Sequence, residues 1–367
     1  MKPLNTLPLK IIRLFVSCGA RASIRILATW LLVGVSGTAP SSLACSVLAV
    51  GQQAPAMVGA NYDWRARGGV VFLSPRGQLK SASFAREIPH RSEWTSQYAS
   101  LTLSQFGRDF PMQGLNEQGL AGMVLVGPST YPRDGALGAV TENLWLQYQL
   151  DHFKTVAEVE VHLRDLGIHQ ISASLHWFMC DATNDCAVIE FLAGQGTLRR
   201  GRDLPVRALT NTSYEQAMSF YSRWQETSTP KPEGYASSAR FVRLAERRDV
   251  RSWLDLAETL DQVSLAGFTA WQSLFDLNSK SLVVRLDGGA WRSVSFANLP
   301  VQCAGQLPMM NLESGTWQDY DHAVVANLFA NAALGAPELG PAVQSQILQA
   351  SERVTCDATF FYLNGVL

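Results

Sequence analysis

The sequence predicts an α+β fold in which antiparallel hairpins alternate with blocks of helices. Short apolar segments separated by turn residues fill residues 45–126, a helical block follows at 142–166, and hairpins return at 174–192 and after residue 271. This order differs from the regular alternation of strand and helix that builds a parallel, doubly wound sheet. No internal repeat or low-complexity linker divides the chain, so we expect one domain.

Strands are predicted first, from apolar runs that end at glycine, proline or asparagine. They occupy 46–50, 57–64, 70–73, 100–105 and 120–126.

Helical spacing of apolar residues is clearest in the block 142–166, which breaks near 154–155. Alternating residues around the turn 182–185 then predict a hairpin of 174–179 with 187–192. The remaining predicted elements are helices at 213–223, 237–247, 253–262 and 341–353, and strands at 271–276 and 282–286.

The first 44 residues have the pattern of a secretory signal peptide. Basic residues spread over 2–25 precede the apolar run 26–35, and small residues lead to the end of the segment at 42–44. This run is shorter than the roughly 20 residues that a membrane span needs, although an N-terminal anchor helix is the alternative interpretation. We therefore predict a signal peptide at 1–44, a mature domain at 45–367, and a secreted, periplasmic protein.

Composition excludes several classes of partner. The net charge is −1, charged residues make up 17%, and no run of like charges provides the basic surface of a nucleic-acid-binding protein. A second apolar stretch long enough for a membrane span is absent from the sequence, so no membrane association is expected after signal removal. No zinc-ligand spacing is found, and we predict no cofactor. A homo-oligomer remains open.

The cysteine count predicts disulfides. Of six cysteines, one leaves with the signal segment, and setting Cys45 aside leaves an even number in an oxidising compartment. Spacing pairs Cys180 with Cys186 across a hairpin, and Cys303 with Cys356 between C-terminal segments. Free buried thiols are the alternative.

Cys45 stands directly at the predicted cleavage point. Removal of Ala44 would give it a free α-amino group with a reference pKa of about 7.7–8.0, which can take the proton of its own thiol. One residue would then supply both the nucleophile and the base that covalent catalysis requires. A lipid-bearing cysteine and an inert structural cysteine are the alternatives. A strand that begins at once after Cys45 is unlike the flexible tether of a lipoprotein.

Four further segments resemble motifs of the choloylglycine hydrolase family, which includes penicillin V acylases and conjugated bile salt hydrolases. They follow Cys45 in the family's order and are similar to its Gly-Arg-Asn-x-Asp-Trp, Gly-Met-Asn-Glu-Lys-Gly-Leu, Val-Leu-Thr-Asn and Ser-x-Ser-Arg-Phe-x-Arg motifs. In this sequence they lie at 59–64, 114–120, 208–211 and 237–243.

The resemblance implies a four-layer αββα sandwich of two antiparallel sheets flanked by helices, as in N-terminal-nucleophile hydrolases. It implies hydrolysis of a linear amide through an acyl-thioester on Cys45, with Asp63 orienting the α-amine. The Asn211 amide and the backbone N–H near Val126 would bind the developing oxyanion. Arg240 would lower the pKa of the thiol.

The implied partner is a small N-acyl amide. Candidates are penicillin V, N-acyl homoserine lactones, other N-acyl amines and conjugated bile salts. We expect residues 127–138 to line the acyl pocket, with Trp64, Tyr131 and Trp145 as apolar contacts, although aromatic residues are more often part of a core.

One position departs from the family pattern, because Ala60 replaces the arginine three residues before Asp63. Arg65 or Arg67 could return the missing charge. Ala60 leaves open an inactive protein that binds acyl amides. Among enzymes, the alternative is an acyltransferase of the same superfamily.

Overall fold

The protein was analysed as a computed structural model. The predicted signal peptide at 1–44 lies outside the described residues, so that boundary stays a prediction. The structure describes residues 45–50, 55–82, 90–227, 229–247, 250–305, 307–337, 339–351 and 356.

The described elements follow the predicted α+β order. The strands are β1 (Ser46–Ala49), β2 (Met57–Asp63), β3 (Val70–Ser74), β4 (Leu79–Ser81), β5 (Glu93–Thr95), β6 (Ser100–Ser104), β7 (Gln113–Asn116), β8 (Ala121–Val126), β9 (Ala139–Thr141), β10 (Gly167–His169), β11 (Leu175–Cys180), β12 (Cys186–Leu192), β13 (Gln195–Arg200), β14 (Ala208–Leu209), β15 (Thr269–Asp276), β16 (Ser281–Leu286), β17 (Arg292–Ser295), β18 (Pro308–Asn311) and β19 (Trp317–Asp319). The helices are α1 (Glu142–His152), α2 (Val156–Val161), α3 (Tyr214–Thr227), α4 (Ser237–Ala245), α5 (Trp253–Asp261), α6 (His322–Ala333) and α7 (Pro341–Ser351).

Two large antiparallel sheets form the centre of the fold. The first sheet has the strand order β14-β1-β2-β15-β16-β17. The second sheet has the order β13-β12-β11-β8-β7-β6-β3-β18-β19. The side chains between them, such as Val47, Leu101 and Phe178, belong to one buried cluster.

Helices cover the outer faces of both sheets. On the first sheet, a methyl group added to Gly59 of β2 would lie 2.9 Å from Leu256 and Leu260 of α5. On the second sheet, a methyl group added to Gly122 of β8 would lie 2.3 Å from Leu146 of α1. Glycine at both positions therefore lets a helix approach the strands closely. The layers are helix, sheet, sheet and helix, and the predicted αββα sandwich is confirmed.

The helical block 142–166 is shorter than predicted. It divides into α1 and α2 at the expected break, where Thr155 and Glu158 form a capping box that starts α2. However, α2 ends at Val161, and 167–169 form β10, which pairs in parallel with β9. The apolar residues Leu163 and Leu166 are buried in the same cluster as Ile168 of β10, so they continued the helical pattern without belonging to a helix.

Helix α6 is an element that the sequence patterns did not predict. Its first turn is capped by Asp321, whose carboxylate accepts from the N–H groups of Ala323 and Val324. An N-cap residue followed by an alanine-rich segment was a usable signal. No helix among the described residues is long and apolar enough to cross a membrane.

The predicted disulfides are present. Cys180 and Cys186 are directly opposite each other on β11 and β12, and Cys303 is joined to Cys356. Among the described residues Cys45 is the free cysteine, and it is buried.

Non-reducing peptide mapping should therefore recover both cross-linked peptides and a Cys45 peptide that can be alkylated after unfolding. A disulfide that includes Cys45 would contradict this pairing.

Candidate active site

Antiparallel pairing brings the predicted site residues together around Cys45. This residue precedes β1, and Ser46 is opposite Asn61, so the start of β1 lies beside Asp63 at the end of β2. On the other side, Val47 is opposite Leu209, which places the residues that follow β14 next to the same end of β1. Strand pairing in the first sheet thus brings Cys45, Asp63 and Asn211 into one cluster, although they are far apart in the chain.

Arg240 connects this cluster from the first turn of α4. Its Nη1 donates to the Cys45 carbonyl at 2.7 Å and to the Ser46 hydroxyl at 2.5 Å, and its Nη2 donates to the Asn211 Oδ1 at 2.9 Å. The side chain is 1% exposed, and this burial lowers the pKa of the guanidinium. A buried cation is held in place when its donors are satisfied in this way.

Asn211 is oriented by that contact. Because Oδ1 accepts from Arg240, Nδ2 points the other way and donates to the Val126 carbonyl at 2.9 Å. An amide nitrogen carries two hydrogens, so this bond uses one of its two donors.

The backbone N–H of Val126 faces away from β11. Gly127 N–H donates to the Ser174 carbonyl, and antiparallel bonding alternates between the two sides of a strand. The Val126 N–H is therefore directed toward the region where Phe110 and Met112 lie. This places Asn211 and the end of β8 together, as predicted.

Asp63 is fully buried and only partly hydrogen-bonded. Its Oδ1 accepts from the Thr269 hydroxyl at 2.5 Å, while Oδ2 has no hydrogen-bond partner among the described residues. Burial raises the pKa of this carboxyl to about 7, against the lowering effects of the Thr269 bond and the Arg240 charge. Sequence reasoning missed Thr269, because nothing near it in the chain marks it as a partner of a residue on β2.

The Cys45 thiol is in an environment that keeps it protonated. Burial, as the larger cause, and the negative charge of Asp63 together raise its pKa to about 12, although the Asp63 backbone N–H and the Arg240 charge act to lower it. These values apply to the chain in which Ala44 is still joined to Cys45 by a peptide bond. In that form the residue lacks a free amine.

An apolar cavity opens onto the thiol. Trp64 and Val126 line it, whereas Tyr131, the rest of 127–138 and Trp145 are not among its described lining residues. Tyr131 exchanges hydrogen bonds with the Leu175 backbone and packs against Trp177, in the core between the second sheet and α1. The lining residues are Cys45, Tyr62, Trp64, Phe106, Phe110, Met112, Val124, Val126, Asn143, Ser172, Ala173, Leu175, Ala336, Leu339 and Ile347.

The two arginines considered as replacements for the missing family arginine lie outside this cluster. Ala60 is buried on the same face of the first sheet as Cys45, opposite Val47. Arg65 is exposed, and Arg67 forms an ion pair with Asp287 at 2.6 Å. Within the part of the chain that the structure describes, Arg240 is therefore the cation that contacts the cluster.

Comparison with known proteins agrees with this geometry. A model of the linear amide C–N hydrolases, choloylglycine hydrolase family, matches residues 45–245, more than half of the chain. The chain belongs to this family. The penicillin V acylase of Pectobacterium atrosepticum is 30% identical over 171 residues, which is 41% of this chain and 45% of that protein. The match thus spans less than half the length of that relative.

Two solved structures share the fold of this family member. The structure of penicillin V acylase from Agrobacterium tumefaciens has a TM-score of 0.61 at 21% identity, over 76% of this chain and 98% of that one. The structure of a mutant conjugated bile acid hydrolase from Clostridium perfringens has a TM-score of 0.59 at 16% identity, over 76% and 96%.

The buried Asp63 carboxyl predicts a pH-dependent stability for the protein that retains Ala44. The unfolded carboxyl ionises near its ordinary pKa of 3.8, whereas the folded one keeps its proton until about pH 7. The free energy of unfolding should therefore fall as the pH rises through this interval. The contribution of this carboxyl is on the order of 4 kcal/mol. Asp63→Asn should lack that loss in urea unfolding measured across the interval.

Other titrating groups, including the Glu142 carboxyl, whose pKa burial also raises to about 7, are shared by both proteins and cancel in the comparison. Parallel pH profiles for the two proteins would show that Asp63 does not titrate abnormally.

Proposed function

We propose that this protein hydrolyses a linear amide through an acyl-thioester on Cys45, after export and removal of residues 1–44. The observation that carries the proposal is a free, buried cysteine that opens onto an apolar cavity and is surrounded by Asp63, Asn211 and Arg240. The candidate substrates are penicillin V, N-acyl homoserine lactones, other N-acyl amines and conjugated bile salts. Family membership supports the reaction class.

The α-amino group of Cys45 acts as the base. It takes the proton from Sγ, and the thiolate attacks the amide carbonyl carbon to form a C–S bond and a tetrahedral oxyanion. When this intermediate collapses, the C–N bond breaks and the α-ammonium returns its proton to the leaving amine. The α-amine then takes a proton from water, whose oxygen attacks the thioester, and the carboxylic acid leaves as the thiol regains its proton.

Asp63 holds the amine in position for these transfers. Its Oδ2 is buried beside Cys45 with no hydrogen-bond partner among the described residues, and a buried carboxylate is strongly destabilised unless it accepts hydrogen bonds. An α-ammonium formed at Cys45 would donate to this oxygen. The same contact would lower the pKa of the carboxyl, because an opposite charge favours the ionised form.

Asn211 and the end of β8 stabilise the oxyanion. The Arg240 contact fixes the amide of Asn211, so its remaining Nδ2 hydrogen is a preorganised donor. The Val126 N–H is the second donor, which makes the identity of its side chain unimportant for this step. Loss of one such donor typically lowers the rate by about 10²–10³-fold.

Cys45→Ser should abolish most amidase activity without unfolding the protein. A hydroxyl is a far weaker nucleophile than a thiolate at neutral pH, so we expect the turnover of penicillin V or an N-acyl amine to fall by roughly 10²-fold or more. Turnover should be measured alongside the melting temperature. Activity near that of the wild type in a folded Ser variant would contradict the acyl-thioester mechanism.

Removal of Ala44 should activate the thiol. In the protein that retains Ala44, burial and Asp63 keep the Cys45 pKa near 12, so little thiolate exists at neutral pH. In the protein that begins at Cys45, the adjacent α-ammonium should lower this pKa, and each unit gives about ten times more thiolate. We expect iodoacetamide to alkylate the processed protein at least about tenfold faster.

Mass spectrometry of the Cys45 peptide measures this rate, since the other cysteines in the described region are in disulfides. Equal rates for the two proteins would argue that the amine does not act on the thiol. A processed protein that binds acyl amides but never forms the thioester would instead be the inactive binding protein.

A further inference from the structure

The helices α6 and α7 lie beyond residues 45–245, the part of the chain that matches the family. Nevertheless, this C-terminal helix pair lines the cavity that contains Cys45, through Ile347 of α7 and through Ala336 and Leu339 of the connection between the two helices. Leu339 is 4% exposed and Ile347 is 3% exposed, so both residues are buried in the protein interior. The cavity wall is thus completed by a segment that follows the matched region.

The C-terminal helix pair is fixed to the strand that carries Asp63. Trp64, which follows that strand, donates from Nε1 to the Ala332 carbonyl at the end of α6 at 2.9 Å. A methyl group added to Gly335 would lie 3.1 Å from the Trp64 ring, so glycine allows this close contact. Phe106 packs edge-on against both Trp64 and Phe329 of α6. The helices therefore contact the site through a hydrogen bond and an aromatic cluster.

At the other end of the C-terminal helix pair, contacts join the end of α7 to the start of α6. The last residue of α7, Ser351, accepts from the Tyr320 hydroxyl through its carbonyl at 2.8 Å, and its hydroxyl lies 3.1 Å from Nδ1 of His322 at the start of α6. The disulfide then joins Cys356, beyond α7, to Cys303. Because both ends are held, the positions of Leu339 and Ile347 are set by more than their own packing.

The cavity is suited to an uncharged acyl group. Among its described lining residues there is no Lys, Arg, Asp or Glu, and most side chains are aliphatic or aromatic. A carboxylate or ammonium on the acyl group would be desolvated there without a partner, which is costly. Leu339 and Ile347 add branched side chains to this wall, and such residues limit the volume that a ligand can occupy.

We propose that Leu339 and Ile347 determine acyl-group specificity by restricting the site to slender, uncharged acyl chains. This inference rests on the proposed function, because it assigns a substrate class to the same site. The favoured substrates are N-acyl amines with a straight aliphatic chain or a narrow aryl-containing group. A bulky fused-ring acyl group is disfavoured by the same wall.

The test uses the processed protein and the 4-nitroanilides of straight-chain acids from butanoyl to tetradecanoyl. Leu339→Ala and Ile347→Ala each remove three carbons from the wall, so we expect the best chain to lengthen by about three carbons. The ratio of kcat/KM for long over short chains should rise by roughly tenfold or more. Leu334→Ala is the matched control, since Leu334 is 83% exposed on the same helix pair and does not line the cavity.

Leu339→Phe and Ile347→Phe should shift the preference toward shorter chains. A shift in this direction cannot arise from loss of stability alone, because destabilisation lowers the activity on all chains together. The proposal would be overturned if kcat/KM depended on acyl chain length in the Ala and Phe variants in the same way as in Leu334→Ala.

A binding measurement separates this inference from the proposed function. Calorimetric titration of the free straight-chain acids into Cys45→Ser, alone and combined with Leu339→Ala or Ile347→Ala, reports chain-length preference without turnover. Absence of hydrolysis in every protein, with the expected shift in binding, would contradict the proposed function and support the specificity role. Hydrolysis with an unchanged chain-length preference in both assays would support the proposed function and contradict the specificity role of Leu339 and Ile347.

Discussion

The geometry of the site depends on the burial of one guanidinium. Arg240 donates to the Cys45 carbonyl, to the Ser46 hydroxyl, to the amide oxygen of Asn211 and to the Tyr235 carbonyl. Burying an ion costs several kcal/mol unless its donors are satisfied, so these contacts are required by the burial itself. A side chain that must keep several partners also fixes their relative positions. The Arg240 guanidinium therefore holds together strand β1, the residues after β14 and helix α4.

This arrangement explains why Arg240 alone does not make the thiol reactive. Its hydrogen bonds are made to the carbonyl and the hydroxyl near Sγ, and its charge only partly offsets the effects of burial and of Asp63 on the thiol pKa. The site thus contains a carboxyl without a full set of donors and a thiol without a base. Both deficits would be met by one group, an α-amine at Cys45, which no side chain in the cluster can replace.

How far the sequence predicts the structure depends on where the determining contacts lie along the chain. A strong local pattern, such as the apolar run of strand β2, was sufficient to predict its element. The cluster of Cys45, Asp63, Asn211 and Arg240 was predicted because each residue lies in a recognisable motif, and antiparallel pairing then brings them together. Residues whose roles arise only from distant packing were missed, as Thr269 and the short edge strands β4 and β19 show. Tyr131 was assigned to the pocket from composition, which does not distinguish the two faces of the second sheet.

The cavity and the catalytic cluster are linked by the same physical cause. The apolar wall of the cavity withdraws water from Cys45 and Asp63, and this desolvation is the largest contribution to raising both pKa values. A more open cavity would hydrate the thiol and the carboxyl, and would weaken the electrostatic interactions among Asp63, Arg240 and the amine. Under the proposed mechanism, closure by α6 and α7 acts on the chemistry as well as on the fit of the acyl group. Substrate selection and the dependence of the thiol on its own α-amine would then be two consequences of one buried, apolar site.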